Sequence, residues 1–405
     1  MPTFEEARRI ILSSVAPLGV ERVTILDSLG RVIAEDLVAP WDMPLCDNSA
    51  MDGYAVRAAD CATIPAVLRV TGYIPAGGEI TGPVEPGCAI RIMTGAPLPA
   101  GCDAVVPVEE TDGGAEQVTI TVSVKSRQHI RFTGEDITGG STIVQAGTVI
   151  RPAEISMLAS FGKAMVPVFR RPRVAILSTG DELIELGEPL TKGKIVNSNA
   201  LSLAAAVREI GCIPQILGIA RDNRESHREK MLEGLKADAM ITSAGVSAGD
   251  RDLVRDVLGE LGVKQLFWKV DMKPGGPTAF ATYQGKPVFS LPGNPVSTMI
   301  TFEELARPAL LRMMGHRRVL KPLVKAVLQS EFRKKPGKLH FLRVRLAVEN
   351  GRYLAYSSGD QNTGILKTML LADAIALLPA EPASFSPGEE VDVHILSGNV
   401  EMLEE

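Results

Sequence analysis

At 405 residues the chain exceeds the length at which one hydrophobic core usually stops growing, so several domains are expected. Hydrophobic residues make up 45% and charged residues 22%, a globular balance that excludes a disordered or fibrous chain. The formal charge is −5, with Lys and Arg spread along the sequence, so there is no basic stripe to track a nucleic-acid backbone and no nucleic-acid partner is expected.

The first predicted element is a helix, because Thr3 and Glu6 have capping-box spacing and Phe4, Ala7, Ile10 and Ile11 follow on one face; Pro17 and Gly19 end it. From about 60 to 150, Gly and Pro punctuate short apolar runs, with alternation at Val118, Ile120, Val122 and Val124, which predicts a small β-rich domain. Between about 172 and 316, apolar runs alternate with amphipathic segments, the pattern of βαβ units on a parallel sheet. Strands are expected at 174–177, 213–219, 237–242 and 288–291. Helical stripes are expected at Leu203, Val207 and Ile210 and at Leu253, Val257 and Leu261, with one long helix over 296–314. After Arg317 the chain returns to short alternating segments such as Val391, Val393 and Ile395, a second β domain.

Neither a basic-then-apolar leader nor an apolar run of about 18 residues appears, so no membrane segment is expected. The five cysteines are scattered and odd in number, which suits a reducing, cytoplasmic compartment. The five histidines are equally dispersed, so a metal here is expected to take oxygen ligands.

In parallel α/β sheets, ligands bind beyond the carboxyl ends of the strands, which directs attention to three loops. These are Ser178-Thr179-Gly180-Asp181-Glu182, Arg221-Asp222-Asn223, and the stretch from Gly245 through Val246, Ser247 and Gly249 to Asp252. The third reads either as a tight turn or as a backbone cradle for a phosphate. Glu182, Asp222 and Asp252 would repel such a phosphate unless a cation sat between, which points to Mg²⁺; taken singly, they also read as caps and solvated turns. Lys269 and Lys273 precede the turn Pro274-Gly275-Gly276-Pro277, where ammonium groups would face an oxyanion. Pro292 and Asn294 shape the turn opening the last long helix, and the loop 47–54 carries polar residues without any period.

Seven ordered motifs resemble the molybdopterin molybdotransferase family of molybdenum-cofactor biosynthesis, to which the gephyrin E domain also belongs. They are DNSAMDGYAV at 47–56, RIMTGAP at 91–97, GED at 134–136, STGDEL at 178–183, GVSAGDRD at 245–252, KPGGP at 273–277 and LPGNPVS at 291–297. The resemblance implies an α/β multidomain fold: a helical and linking part over 1–46 and 136–170, a small β-rich domain over 47–135, a parallel-sheet molybdopterin-binding domain over 171–318, and a β domain over 319–405. It implies a homodimer that inserts molybdate, with tungstate as the alternative oxyanion, into adenylylated molybdopterin and releases AMP. By the same resemblance Glu182 and Asp252 are Mg²⁺ ligands with Asp222 close by, and Asp52, Thr94 and Asp136 face the cleft from the opposite subunit. Lys269, Lys273, Arg343 and Thr363 bind or orient oxyanion and substrate.

Two positions depart from the family pattern: Gly276 stands where Lys is usual, and Ala244 where a second Gly is usual. The first removes a cation and bears on the choice of oxyanion; the second matters if the backbone there needs positive φ. The competing reading is a scaffold of the same fold, as in the gephyrin E domain.

Overall fold

The structure, a computed structural model, describes residues 1–79, 82–244 and 253–396. The chain forms two compact units, one of residues 35–146 and 151–165, the other of residues 1–34, 147–150 and 166–405.

Helix α1 (Phe4–Ser13) starts on the expected capping box: the Thr3 hydroxyl accepts the Glu6 N–H, and the Glu6 carboxylate accepts the Thr3 N–H. Two orphan amides are thereby satisfied, and Phe4, Ala7 and Ile11 are buried on the inner face.

The smaller unit is built on a five-stranded sheet of β1 (Gly53–Val56), β2 (Ala66–Ile74), β3 (Cys88–Ile92), β4 (Ala104–Pro107) and β5 (Gln117–Ile120), in the order β4-β1-β3-β2-β5. The expected alternation is realised at Val118 and Ile120, both buried, but the strand stops at Ile120, so Val122 and Val124 lie beyond it. Helix α2 (Pro152–Ser160) also belongs to this unit.

In the larger unit, β6 (Arg173–Thr179), α3 (Ser198–Glu209), β7 (Ile213–Ala220), α4 (Arg224–Gly234), β8 (Ala239–Ser243), α5 (Leu253–Glu260), β9 (Lys264–Phe267), β10 (Met272–Lys273), β11 (Ala279–Tyr283) and β12 (Lys286–Leu291) follow in order. The sheet order is β7-β6-β8-β12-β11-β9. The four strands β7, β6, β8 and β12 run parallel, whereas β11 pairs antiparallel with both β12 and β9, so the expected parallel sheet is mixed at one edge. Helix α3 packs Leu203 and Val207 on one face of the sheet, and α4 and α5 pack Met231, Val254 and Val257 on the other.

The long helix expected over 296–314 is interrupted. Helices α6 (Pro295–Thr301) and α7 (Arg307–Met313) flank a π-helical turn at Phe302–Ala306. Pro308 has no N–H to return to the Glu304 carbonyl, and the wider turn accommodates that missing bond. Buried Glu304 there pairs through Oε1 with His394 Nδ1 at 2.9 Å.

The C-terminal part is a closed barrel of β13 (Val324–Leu328), β14 (Leu339–Glu349), β15 (Arg352–Ser357), β16 (Ala374–Leu378) and β17 (Glu390–Ile395), with α8 (Lys367–Leu370) between β15 and β16. Pairing runs β14-β15-β13-β17-β16 and closes through β16–β14. Inward residues such as Leu342, Val344, Ala376 and Val393 fill it. Strand β10 adds in parallel to β14, with Lys273 opposite His340.

Candidate active site

The carboxyl ends of β6, β8 and β12 open on a cleft of about 570 Å³. These strands are apolar through their middles, because they are buried on both faces there, and β6 and β8 end in small polar residues at the mouth, Ser178-Thr179 and Thr242-Ser243, while β12 carries Ser290 one residue before its end. Register places Ser178 beside Ser243. Their hydroxyls meet the first turn of α3: Ser178 Oγ donates to Asn197 Oδ1 at 2.8 Å, and Asn199 Nδ2 donates to Ser243 Oγ at 2.9 Å and to the Gly293 carbonyl at 2.7 Å.

Ser178, Thr179, Gly180, Glu182, Asp222, Pro292 and Asn294 all line this cleft. The loops after β6 and β7 are tied reciprocally, since the Asp181 N–H donates to Asp222 Oδ2 and the Asp222 N–H to Asp181 Oδ1, each at 3.2 Å. Gly180 has φ +134°, and a Cβ there would stand 2.2 Å from Glu182 Oε2, so only glycine lets that carboxylate fold back over the strand end. Gly245, Val246, Ser247, Gly249 and Asp252 lie outside the described residues. Among the described residues no three metal-ligating side chains converge. Two carboxylates on the cleft wall, without His or Cys, still fit Mg²⁺, which usually takes one or two protein carboxylates and completes its shell with substrate phosphate and water.

Ala244 ends the described part of the third loop with φ +75°, so the position does require the left-handed backbone that glycine adopts freely.

A second cavity, of about 690 Å³, opens between the barrel and the turn after β10. Lys273, Arg333, Lys334, Lys335 and His340 line it together with the loop 360–363. Burial, with Lys273, Lys334 and Lys338 nearby, pushes the His340 imidazole down to about 4, so it is neutral near pH 7. Thr363 lies here and accepts a hydrogen bond from Asn294 Nδ2 at 3.1 Å. The turn 273–277 makes a second link, with Lys273 in the basic cavity and Pro277 in the cleft. Gly275 is fixed by φ +98° and by Thr301 Cγ2, which would stand 2.3 Å from an added Cβ. At Gly276 an added Cβ would meet the Met272 carbonyl at 3.2 Å, and the pocket's remaining cations come from elsewhere on the wall.

Two of the expected oxyanion residues sit differently. Lys269 is exposed and lines neither cavity. Arg343 is fully buried: Nε donates to Thr368 Oγ1 at 2.8 Å, and Nη2 to the carbonyls of Asp360 at 3.2 Å and Asn362 at 3.3 Å. Burial lowers its pKa, and its fork holds the 360–363 loop from behind rather than reaching the cavity.

Asp52, Thr94 and Asp136 lie in the smaller unit. Asp52 Oδ1 accepts both the Thr94 N–H at 2.7 Å and its hydroxyl at 2.8 Å, and these bonds hold the exposed carboxyl below its usual range. Asp136 is exposed. Asn197, Asn199, His340 and Lys334 escaped the sequence reading; the only signal was Asn197 immediately before a helical stripe, an N-cap position.

Three family descriptions cover the chain: "MoeA N-terminal region (domain I and II)" matches residues 2–162, "Probable molybdopterin binding domain" residues 175–312, and "MoeA C-terminal region (domain IV)" residues 325–396. The chain is similar to molybdopterin molybdenumtransferase 2 of Mycobacterium tuberculosis, at 36% identity over 97% of this chain and 99% of the relative. It is similar to the molybdopterin molybdenumtransferase of Haemophilus influenzae at 35% identity, over 97% and 98%. Two crystal structures of the molybdopterin biosynthesis moeA protein from Pyrococcus horikoshii superpose with TM-scores of 0.86 and 0.83, at 32% and 30% identity, covering 98% of this chain and 99% and 100% of theirs. No described helix is long and apolar enough to cross a membrane.

Proposed function

The chain belongs to the molybdopterin molybdenumtransferase family, a transferase of molybdenum-cofactor biosynthesis, and from that membership we propose that it inserts molybdate into adenylylated molybdopterin and releases AMP. The observation that carries this reading is the Asn294–Thr363 bond, which joins a polar cleft at the strand ends to a basic cavity beside it. A phosphate-linked pterin and an oxyanion need such neighbouring seats, one offering small polar groups and carboxylates, the other fixed cations.

In this reading Ser178, Thr179 and Gly180 hold the pterin-bearing substrate, and Glu182 and Asp252, with Asp222 close by, would hold Mg²⁺. The ion would supply charge to the leaving AMP phosphate. Lys273 and Thr363, with Arg343 stiffening the loop, hold molybdate so that it lies oriented toward the dithiolene sulfurs, and positioning supplies most of the acceleration. Asp52, Thr94 and Asp136 would complete the cleft across a homodimer. Tungstate is the competing oxyanion, since Gly276 leaves the cavity one cation short of the family pattern.

The test is AMP release by the purified protein from adenylylated molybdopterin with molybdate or tungstate, with and without Mg²⁺. AMP formed only with Mg²⁺ and an oxyanion supports the reading. No AMP under any condition leaves the scaffold role standing instead.

A further inference from the structure

We propose that His340 binds the anion held in the basic cavity, donating to it from a ring nitrogen and taking up a proton from solvent as the anion enters. This rests on the reading of that cavity as the oxyanion seat, and deepens it.

His340 is 7% exposed and lines the cavity from β14, opposite Lys273 of β10. Among the described residues neither of its ring nitrogens has a hydrogen-bond partner. Neither is an enclosed orphan atom either, so both keep accessible surface. With more than nine-tenths of the side chain covered, the space that surface meets is the cavity the residue lines. The other buried histidines are engaged: His227 Nδ1 pairs with the Asn223 carbonyl at 3.0 Å and His394 Nδ1 with Glu304 at 2.9 Å. An imidazole carries at least one N–H in either protonation state, so an unfilled donor here costs free energy that an acceptor in the cavity recovers.

The charges that act on this ring are positive, from Lys273, Lys334 and Lys338. Lys338 is paired with Asp271 at 3.4 Å. Lys334 Nζ is held by the Ala380 carbonyl at 2.6 Å and, among the described residues, meets no carboxylate. On the same wall Lys335 adds a cation, Arg333 pairs with Glu331, and Asp360 contributes an acid whose Oδ1 accepts the Asn362 N–H. The residues packed on the ring from elsewhere are uncharged, Leu378 of β16 and Phe332.

An anion entering this cavity changes the balance. It supplies the counter-charge that the lysines lack, so the repulsion holding the imidazole near 4 weakens and its pKa rises. At any pH between the free and the bound values, binding takes up a proton and affinity strengthens as pH falls. A lysine in the same place gives no such slope, because it is already charged. A doubly charged oxyanion recruits the proton more strongly than a singly charged one of the same shape, which makes His340 a selector of charge.

Calorimetric titration of the full-length protein with dilute molybdate, in buffers of differing ionisation enthalpy, counts the protons taken up. Between about pH 7 and 5 the affinity of the unaltered protein is expected to rise by up to about tenfold per unit, with net proton uptake. His340→Gln keeps an amide donor but cannot protonate, so the difference between the two titrations removes the protonation of molybdate itself. His340→Leu lacks the donor as well and is expected to bind about three- to tenfold more weakly than His340→Gln near pH 7. In the unaltered protein a histidine ¹³Cε1 resonance, absent from His340→Gln, should move toward the imidazolium position when molybdate is added near pH 6. A packing role alone would change the stability of these variants but neither the proton count nor that resonance. Equal proton uptake by the unaltered protein and His340→Gln, with molybdate binding still weakened by Lys273→Met, overturns the role of His340 alone. Molybdate that does not bind, or that binds Lys273→Met equally well, overturns the cavity's assignment and the role of His340 with it.

Discussion

Asn294 donates its Nδ2 to the Thr363 hydroxyl over 3.1 Å, and so pins the turn that opens α6 to the loop that walls the basic cavity. Thr363→Val keeps the shape and removes the acceptor. The oxyanion KM is expected to rise about three- to tenfold with little change in kcat, the loss of one modest neutral hydrogen bond in a binding wall. A KM unchanged in steady-state AMP release would separate the two cavities functionally.

Arg343 acts on the same loop from the outer face of β14, opposite the inward Leu342 and Val344. Its hold depends on a planar fork that reaches Thr368 and two carbonyls at once, which a lysine ammonium cannot copy. Arg343→Lys and Arg343→Met are therefore both expected to weaken oxyanion binding on the order of tenfold. Full rescue by lysine would mean that charge, and not geometry, is what the loop requires.

His340 gives the fold a pH slope. Its folded pKa of about 4 lies below the ordinary 6.5, so between these values the unfolded chain binds a proton that the folded chain refuses. Stability from this group is complete above about pH 6.5 and falls as pH drops toward 4. His340→Gln removes the titration, and thermal melts across that window should show a flatter pH dependence for the larger unit. Parallel slopes for both proteins would show that the imidazole is not the group responsible.

Ala244 sits at φ +75°, where a side chain costs roughly 1–2 kcal/mol that glycine avoids. Glycine also loosens the unfolded chain by about 0.4–1 kcal/mol. Ala244→Gly should thus be neutral to slightly stabilising in a thermal melt, where most alanine-to-glycine changes destabilise. A clear loss of stability would mean that the Ala244 methyl, which faces Gly293, contributes packing that outweighs the strain.

What the sequence disclosed was local. The capping box at Thr3 and Glu6 and the apolar run ending at Ser178 each depend on residues a few positions apart, so the helix and the strand-end loop were legible directly. The unbroken helix expected over 296–314 failed because its apolar pattern continues through Pro308, and a missing amide alters the ladder without altering that pattern. The barrel's closure rests on β14 meeting both β15 and β16, a pairing that no single segment announces. Arg343 was expected to bind or orient oxyanion and substrate from the family resemblance alone, and only the fold reveals the carbonyls that receive it. The amides at 197 and 199 look in sequence like ordinary helix-start residues; the bonds that tie them to Ser178, Ser243 and the Gly293 carbonyl appear only in the fold.

Strand β10 is two residues long, yet it leaves the α/β part and finds its hydrogen bonds on β14 of the barrel. A ribbon that short has no independent persistence, and the Met272 N–H is taken by the Val270 carbonyl of its own turn, so it is amide deuterium uptake at Lys273 that should follow the opening of the barrel rather than that of the six-stranded sheet. The ammonium of Lys273 is then held in place only while the C-terminal barrel stays shut, and a lesion deep among its inward aliphatic residues would be felt first as lost grip on the anion.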